Sequence, residues 1–403
     1  MPDAMSLPDT YRGLRVLDLS AYLAGPFASM ILGDMGADVI KIERPPGGDE
    51  TRALPPRWGE DATVFFSVNR NKRSVLLDFR TPEGREALMR LVPGADVLVE
   101  SFPPGVAEKL SLRFEDLRQC NPRLVVCSSS AFGDGPIGAG MPGFDALVQA
   151  VSGLMSFTGE AGSAPVRLAP SVLDLTTGMW GAIGIMAALV RRAQGGAGEH
   201  VRPSLIDSAF AMMSHQVLGY IATGELPRKL GTSAPSAMPY RVYEAADGSF
   251  MLATASDAQF VRLCAVLGVE ALAQDPRFST MAARLAARDT LDGLLSHIFR
   301  QQPVSNWLQR LAQAGIASGP VNDIRQSLDL PVVAERELLV APERAGWKGG
   351  MAQLRLPIDP GGTGVVSPPP VLGQHTEEVL REAGFDDETI ARLSRRNATN
   401  QTT

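Results

Sequence analysis

Short apolar runs alternate with helical patterns along the first half of the chain. Five runs rich in Val, Ile and Leu predict strands at Leu14–Leu19, Asp38–Glu43, Ser74–Asp78, Ala95–Glu100 and Arg123–Ser129. Apolar residues at helical spacing predict helices between them, at Gly25–Met35, Pro82–Leu91 and Phe114–Gln119. A strand, a helix and a strand in succession are typical of parallel βαβ units. We therefore expect an α/β fold with a large, doubly wound, Rossmann-like domain, in which ligands bind beyond the carboxyl ends of the strands.

The pattern changes after the fifth strand. Three helical segments follow, at Phe144–Phe157, Leu175–Arg192 and Pro203–Ala222, and then a polar stretch without periodicity. Beyond it, two apolar runs at Tyr240–Ala245 and Ser249–Ala253 flank an Asp-Gly turn, which predicts a β-hairpin. Further helices are predicted at Asp257–Leu267, Leu285–Arg300 and Ser305–Ala314. Together these elements predict a second, smaller α+β domain.

The C-terminal part contains too few elements to form a domain of its own. It has a strand at Ala352–Ile358, a Pro- and Gly-rich loop and an amphipathic helix at Thr376–Gly384. A lone strand and helix cannot bury their apolar faces, so this part is expected to return to the large domain. The predicted organisation is a large domain at residues 1–222, a linker at 223–239, a small domain at 240–320 and a returning segment at 321–403.

Composition narrows the function classes. The chain has 403 residues, of which 45% are hydrophobic and 20% charged, which fits a globular protein of about two domains. Its net charge of −6 argues against a nucleic-acid partner, because phosphate contacts need a basic surface. Any anionic ligand must therefore be bound by local positive charge.

Cysteine usage and hydropathy bear on the compartment. The three cysteines have no ligand-like spacing and leave an odd thiol, and Met1–Tyr11 has no signal-peptide pattern. The longest apolar run, Met179–Val190, ends at two arginines and is too short to cross a bilayer. We therefore expect a cytoplasmic protein without a membrane partner.

Candidate anion-binding residues cluster where strands end. After the first strand, small residues lead to Gly25-Pro26, which opens a helix whose free N–H groups could bind an anion. The second strand ends at Arg44, a basic run at 69–74 precedes the third, and Ser101-Phe102 follows the fourth. Each segment taken alone could equally be an ordinary turn or a solvated loop.

Taken together, these segments carry a specific resemblance. Gly25-Pro26, Gly36-Ala-Asp-Val-Ile-Lys-Ile-Glu-Arg44, Gly48-Asp49, Asn71-Lys-Arg-Ser74, Ala95-Asp-Val-Leu-Val-Glu100, Gly105 and Gly373-Gln-His375 resemble the class III CoA-transferases, also called the CaiB/BaiF family. The segments occur in the expected order from about Leu14 to Leu393. The resemblance implies an enzyme that moves CoA from an acyl-CoA to a small carboxylic or dicarboxylic acid.

The resemblance also implies site residues. Those assigned to the CoA site are Tyr22, Leu23, Ala24, Arg44, Lys72, Arg73, Ser101, Phe102, Lys109 and Asp145. Asp174 matches the family's catalytic nucleophile, although from the residues alone it could simply cap the helix that follows. CoA is a substrate in this chemistry, and neither a metal nor a permanently bound cofactor is expected.

The implied mechanism is covalent. Asp174 attacks the acyl-CoA to form a mixed anhydride, and CoA then forms a thioester with Asp174 before it passes to the acceptor acid. Backbone N–H groups in Ser20–Gly25 are candidates to stabilise the oxyanions.

Two alternatives stay open from the sequence, an acyl-CoA racemase of the same fold and a non-catalytic acyl-CoA binding protein. Family racemases have Gly-His-Asp upstream of the shared aspartate, whereas this chain has Gly143-Phe144-Asp145, and phenylalanine cannot accept a proton. Oxalate is doubtful as an acceptor because Leu23, Ser101 and the segment 231–238 depart from the oxalate enzymes. The family also implies an interlocked homodimer.

Overall fold

The computed structural model describes residues 9–345, 350–358 and 367–399. Most of the Pro- and Gly-rich loop predicted before the last helices, and most of the N-terminal residues inspected for a signal sequence, lie outside the described residues.

The first half of the chain contains eight strands and ten helices within the described residues. In chain order they are β1 (Arg15–Asp18), α1 (Ala24–Asp34), β2 (Asp38–Glu43), β3 (Arg57–Trp58), β4 (Asp61–Ala62), α2 (Thr63–Ser67), β5 (Lys72–Leu76), α3 (Pro82–Leu91), β6 (Val97–Glu100), α4 (Val106–Leu110), α5 (Phe114–Cys120), β7 (Val125–Ser128), α6 (Asp145–Val151), α7 (Leu154–Phe157), α8 (Val172–Ala193), β8 (His200–Val201), α9 (Leu205–Met212) and α10 (Ser214–Thr223).

The remaining elements follow in the second half. They are β9 (Tyr240–Glu244), β10 (Ser249–Ala253), α11 (Asp257–Leu267), α12 (Ala271–Gln274), α13 (Met281–Ala286), α14 (Arg288–Phe299), α15 (Val304–Gln313), β11 (Ala317–Pro320), α16 (Ile324–Leu328), α17 (Pro331–Glu335), β12 (Leu339–Val340), β13 (Gln353–Leu354), α18 (Thr376–Glu382) and α19 (Asp387–Thr399).

The described residues divide into two compact units. Unit 1 comprises residues 1–152, 168–221 and 331–403, and unit 2 comprises 153–167 and 222–330. The stretch predicted as a linker, 223–239, therefore lies inside unit 2. Its backbone is held there, because the N–H of Gly231 donates to the carbonyl of Gly159 and Met238 is fully buried.

Unit 1 is built on a six-stranded parallel sheet with the order β5-β2-β1-β6-β7-β8. The α/β prediction is confirmed. Successive side chains of each strand point to opposite faces of the sheet, and both faces are buried. This explains why the strands are continuous apolar runs. Val16, Val39 and Val97 pack with α1 and α8 on one face, whereas Leu17 and Ile40 pack with α3, α5 and α18 on the other. The sheet is therefore doubly wound.

The C-terminal segment completes unit 1. The N–H of His375 donates to the carbonyl of Ser74, and the hydroxyl of Thr376 accepts from the N–H of Leu76 on β5. Val379 of α18 is fully buried in the same apolar cluster as Leu17. The large domain is thus built from N- and C-terminal parts, as predicted.

Three predicted helices have different bounds in the structure. The segment predicted as one helix at Phe144–Phe157 is divided into α6 and α7, because Gly153 has a φ of 93° in the left-handed region. The segments Pro203–Ala222 and Leu285–Arg300 are likewise each divided into two helices.

Helix α8 is longer than the apolar run that predicted it. With 22 residues and a mean hydropathy of 1.5, it is by length and composition the one helix among the described residues that could cross a membrane. Its buried residues, such as Ala182 and Ile185, pack on α1 and the sheet of unit 1. This packing is that of a core helix.

Unit 2 has a three-stranded antiparallel sheet with the order β11-β10-β9, covered by helices. The predicted hairpin is confirmed, with Ser249 opposite Glu244. Its core is aromatic, since the ring of Phe299 lies 4.9 to 5.2 Å from those of Tyr243, Phe250 and Trp307.

Candidate active site

The loop between β1 and α1, residues 20–23, lies at the carboxyl edge of the sheet of unit 1; we call it the α1 loop. From β1 the chain continues to β2 and β5 on one side of the sheet, and from β6 it continues to β7 and β8 on the other side. The strand order therefore reverses between β1 and β6. In open parallel sheets, ligands bind in the crevice at this position.

Ser101 connects the two sides of this crevice. It follows β6, and its hydroxyl accepts a hydrogen bond from the N–H of Ala21 at 3.0 Å and donates to the carbonyl of Ala21 at 3.4 Å. Ser101 was predicted to lie at the CoA site, and the structure places it at the base of the crevice against the α1 loop.

Tyr22 and Phe144 form an exposed aromatic pair beside the crevice. Their ring centroids are 5.5 Å apart with an edge-to-face arrangement, and the two residues are 40% and 63% exposed. Phe144 immediately precedes α6. The residue that stands where the racemases have histidine therefore contributes apolar surface and no proton acceptor.

Asp174 lies in the first turn of α8, level with the α1 loop. A Cβ atom at Gly178 would lie 2.6 Å from the carbonyl oxygen of Ala24, and one at Gly181 would lie 3.5 Å from the Cβ of Ala28. Helices α1 and α8 therefore run in the same direction in close contact. Because Asp174 is one turn before Gly178 on the same face of α8, its side chain points to the region just before Ala24.

Asp145, the first residue of α6, accepts hydrogen bonds from backbone N–H groups at the start of α8. Its carboxylate accepts the N–H of Leu173 at 2.8 Å and the N–H of Asp174 at 3.4 Å, and it also accepts from the side-chain amide of Gln149. Asp145 is buried. Asp145, assigned to the CoA site from the sequence, thus caps α8, and Asp174 does not have the capping role that the sequence left open.

The carboxyl group of Asp174 is half-buried, and no described residue donates a hydrogen bond to it. Burial and then the negative charge of Asp145 raise the pKa of Asp174 to about 7. A carboxylate that has lost part of its hydration and gained no partner is a better nucleophile than a free one. This environment is suited to attack on an acyl carbon.

Free backbone donors are present at the start of α1. Of the predicted N–H groups, those of Ser20 and Ala21 are occupied by Asp18 and Ser101. In the described part of the chain, nothing accepts from the N–H groups of Leu23, Ala24 or Gly25. These three groups, at the positive end of the helix dipole, are left to stabilise an oxyanion beside Asp174.

The predicted cations differ in availability. Arg44, at the end of β2, is 42% exposed in its side chain and pairs with Glu50, and Lys109 is exposed on α4. Phe102 is half-buried against Phe79, with their ring centroids 6.0 Å apart. These three residues remain available at the sheet edge for a charged or aromatic group.

Lys72 and Arg73, in contrast, already have protein partners. Lys72 is fully buried and donates to Asp18 at 2.8 Å. Arg73 pairs with Asp38 and with Glu382 of α18 on the opposite side of β5. Both residues were assigned to the CoA site from the sequence, and in the structure both side chains are paired with carboxylates of the protein.

Arg80 was not among the predicted residues. It follows the end of β5, has a side chain that is 52% exposed, and pairs with Asp78 at 2.8 Å. The preceding residue, Phe79, is the one that contacts Phe102. The predicted third strand, Ser74–Asp78, begins and ends two residues later than β5, and Arg80 lies in the segment that follows the strand.

Comparisons with known proteins show which family this chain is similar to. The profile of CoA-transferase family III matches residues 11–376. A succinate–glutarate CoA-transferase of Agrobacterium fabrum is 37% identical over 403 residues, covering 98% of this chain and 100% of that protein. An acetyl-CoA:oxalate CoA-transferase of Acetobacter aceti is 39% identical over 332 residues, covering 82% and 85%. The crystal structure of a CaiB/BaiF family protein from Brucella suis superposes with a TM-score of 0.83 at 36% identity, covering 92% of this chain and 98% of that one.

Proposed function

Because this chain belongs to CoA-transferase family III and is a CoA-transferase, we propose that it transfers CoA between two carboxylic acids through a covalent intermediate on Asp174. The observation that carries the proposal is the state of Asp174. Its carboxyl group is partly dehydrated, has no donor among the described residues and lies level with the free N–H groups of Leu23, Ala24 and Gly25. No other carboxyl group described in unit 1 combines these properties at the crevice.

The first half of the reaction converts Asp174 to a thioester. The Asp174 carboxylate attacks the acyl carbon of the donor, the carbon–sulfur bond breaks, and a mixed anhydride and CoA thiolate form. The thiolate then attacks the side-chain carbonyl carbon of Asp174, and the donor acid leaves as a carboxylate. The free N–H groups of α1 stabilise each tetrahedral oxyanion.

The second half reverses these steps with the acceptor. The acceptor carboxylate attacks the aspartyl thioester and releases CoA thiolate, which leaves an anhydride between the acceptor and Asp174. The thiolate attacks the acceptor's acyl carbon, and the new acyl-CoA departs as the Asp174 carboxylate is regenerated. No net proton or electron is transferred.

The acceptor is proposed by class. Named relatives are CoA-transferases of glutarate and of oxalate. We infer a small mono- or dicarboxylic acid, with succinyl-CoA as a plausible donor to test. Because one relative is an oxalate CoA-transferase, oxalate should also be tested as an acceptor, although Leu23 and Ser101 depart from the residues expected in oxalate enzymes.

The CoA moiety is proposed to bind at the sheet edge. Arg44, Arg80 and Lys109 supply positive charge there, and Phe102 supplies an aromatic face for the adenine. The cysteines described as free thiols support a reducing compartment, and we propose the cytoplasm.

We also propose a homodimer. Met179, Trp180 and Ile183 on the outward side of α8 are each more than 40% exposed, and Phe210 of α9 and Ile221 of α10 add to the exposed apolar surface of unit 1. Met179, Trp180 and Ile183 lie on one face of α8, and exposed apolar residues grouped on one face are typical of protein interfaces. A second copy of the chain is the occupant that the family resemblance implies.

The covalent route is tested by trapping. The protein is incubated with acyl-CoA and hydroxylamine, which converts an aspartyl anhydride or thioester to a hydroxamate, and its peptides are then analysed by mass spectrometry. We expect the hydroxamate on Asp174 in the wild type and none in Asp174→Asn. Asp207→Asn, in the first turn of α9, is the matched control and should give the wild-type adduct. An unmodified Asp174 during active CoA transfer would refute the covalent route.

The two alternatives give different results. A racemase would exchange the α-hydrogen of a 2-methylacyl-CoA in deuterated water, and we expect no exchange because Phe144 cannot accept a proton. A non-catalytic binding protein would bind acyl-CoA and form no adduct with any acceptor.

A further inference from the structure

Four charged side chains lie beneath the α1 loop without reaching solvent. They are Asp18, Lys41, Asp49 and Lys72, which we call the buried charge cluster. Lys41 pairs with Asp49 at 2.8 Å and Lys72 pairs with Asp18 at 2.8 Å, and all four side chains are at most 1% exposed. Burying an ion is strongly unfavourable unless its partners compensate for the lost hydration, so four buried ions need a charge-balanced arrangement.

The cluster lies on the face of the sheet that α1 covers. Asp18 is opposite Lys41 in the register of β1 and β2, and Lys72 is opposite Val39. Val39 belongs to the apolar cluster that packs on α1 and α8. The charges therefore replace apolar residues at the point where that face meets the start of α1.

Ser20, the first residue of the α1 loop, is held by two members of the cluster. The ammonium of Lys41 donates to the carbonyl of Ser20 at 2.9 Å, and the carboxylate of Asp18 accepts the N–H of Ser20 at 3.0 Å. Burial alone would raise the pKa of Asp18. The positive charges of Lys72 and Lys41 nevertheless hold this pKa well below its usual range, so the Asp18 carboxylate stays charged.

The other two members hold the residues that follow. Asp49 accepts the N–H of Tyr22 at 3.4 Å, and the ammonium of Lys72 donates to the carbonyl of Pro26 at 2.8 Å. The cluster therefore contacts the backbone on both sides of Leu23, Ala24 and Gly25. It makes none of its described contacts with the free N–H groups themselves.

The loop that the cluster holds is strained. Tyr22 has a φ of 65°, in the left-handed region that aromatic residues rarely adopt. Such a conformation is energetically unfavourable for a residue with a side chain and persists only where the surroundings enforce it. The Tyr22 conformation helps direct the chain from the end of β1 into α1 within five residues, 19–23.

We propose that the buried charge cluster positions the α1 loop for catalysis, by enforcing the Tyr22 conformation that aligns the first N–H groups of α1 beside Asp174. Asp18, Lys41, Asp49 and Lys72 are positioning residues, since none is exposed to substrate. The proposal deepens the function proposed for Asp174 and rests on it.

A control pair on the same helix separates positioning from simple stability. Asp34, at the other end of α1, pairs with Arg70 at 2.6 Å, and both side chains are at most 3% exposed. Arg70→Met removes the cationic partner of a buried aspartate, as Lys41→Met does, but at the end of α1 away from the α1 loop. The double variant Lys41→Met/Asp49→Asn restores charge balance and keeps an oxygen that can accept from Tyr22, but it removes the bond to the Ser20 carbonyl.

The experiment compares these variants by thermal melting and by the single-turnover rate of Asp174 modification. We expect both single variants to melt at lower temperature and the double variant to melt near the wild type. The rate should fall roughly 10–100-fold in Lys41→Met and in the double variant, with little change in the KM for acyl-CoA, and stay at the wild-type value in Arg70→Met. If Lys41→Met does not fold, the double variant decides the result.

Hydrogen exchange of the peptide 20–27 in the free protein gives a readout independent of catalysis. We expect faster exchange in the double variant than in the wild type and in Arg70→Met. A double variant with wild-type rate and exchange would overturn the proposal, as would an equal loss of rate in Arg70→Met. If the wild type formed no adduct, the function proposed for Asp174 would fail, while the exchange comparison would still decide whether the cluster positions the loop.

Discussion

At the scale of single residues, Asp174 combines reactivity with a cost to stability. Its charge is disfavoured by burial and by Asp145, and no described group compensates it. The folded state therefore binds a proton more tightly than the unfolded chain does, between the usual aspartate pKa of 3.8 and about 7. Stability is lost as the pH rises through that window.

Replacing Asp174 by asparagine is therefore expected to abolish CoA transfer and stabilise the protein. At pH 8 the variant should be more stable by roughly 1–3 kcal/mol, and the gain should shrink at pH 5, where the wild-type carboxyl group is largely protonated. Thermal or urea unfolding at the two pH values measures it. A variant that is less stable at pH 8 would show that the Asp174 charge is compensated.

Asp145 tunes the same carboxyl group. Since the proposed nucleophile is the carboxylate form of Asp174, the rate of Asp174 modification should rise with pH through about 7. Asp145→Asn keeps an oxygen that can accept from the N–H of Leu173, but it removes a negative charge next to Asp174. The rise of the pH–rate profile, its acid limb, should therefore move to lower pH. Burial, the larger cause of the raised pKa, remains, and the limb should stay above the usual aspartate range. The rate measured between pH 5 and 9 tests this; an unmoved limb would contradict it.

At the scale of elements, the contact of α1 with α8 sets the position of Asp174. Gly178 is required at this contact because a Cβ atom there would lie 2.6 Å from a backbone oxygen of α1 and 3.1 Å from Phe27. Gly181, one turn later, has room, with its nearest neighbour at 3.4 Å.

Gly178→Ala should therefore separate the starts of the two helices and displace Asp174. We expect a loss of stability of about 1–3 kcal/mol and at least a tenfold lower transfer rate, because a misplacement of about 1 Å can cost 10²-fold in rate. Gly181→Ala is the matched control and should leave the rate within about twofold. The melting temperature and kcat of the two variants test this prediction. Equal effects of the two substitutions would show that the close contact at Gly178 does not position Asp174.

At the scale of the whole molecule, the outward face of α8 is apolar and exposed, and no packing among the described residues of unit 1 explains it. Half of the helix packs in the core, and the other half exposes Trp180 and Ile183. A second copy that covers this face would account for both its apolarity and its length without a membrane.

Ile183→Asp should weaken that association. In sedimentation velocity, the wild type is expected as a dimer and the variant as a mixture shifted to monomer, because an uncompensated charge would be buried at the interface. Ile324→Asp, at an exposed isoleucine of unit 2, is the control and should remain a dimer. A wild-type chain that stays monomeric at micromolar concentration would refute the proposed dimer.

Most elements of the fold follow from local patterns in the sequence. The strands of the parallel sheet are short runs whose neighbours in sequence are helices, so Asp38–Glu43 and Pro82–Leu91 could be read to the residue from local pattern alone. The ordered motifs from Gly25 to His375 also placed the chain among CoA-transferases. Each of these elements, and each of these motifs taken singly, consists of residues that are close together in sequence.

Which charged side chains are free, in contrast, depends on contacts that form when the chain folds. Lys72 and Asp18 are 54 residues apart, and Arg73 and Glu382 are 309 apart, so no local pattern reveals that these cations are already paired. The capping of α8 by Asp145, 28 residues away from Leu173, likewise depends on the fold, and it leaves Asp174 without a partner. The availability of a charged side chain depends on solvent and on neighbours brought together by folding, whereas a strand or helix depends largely on its own residues.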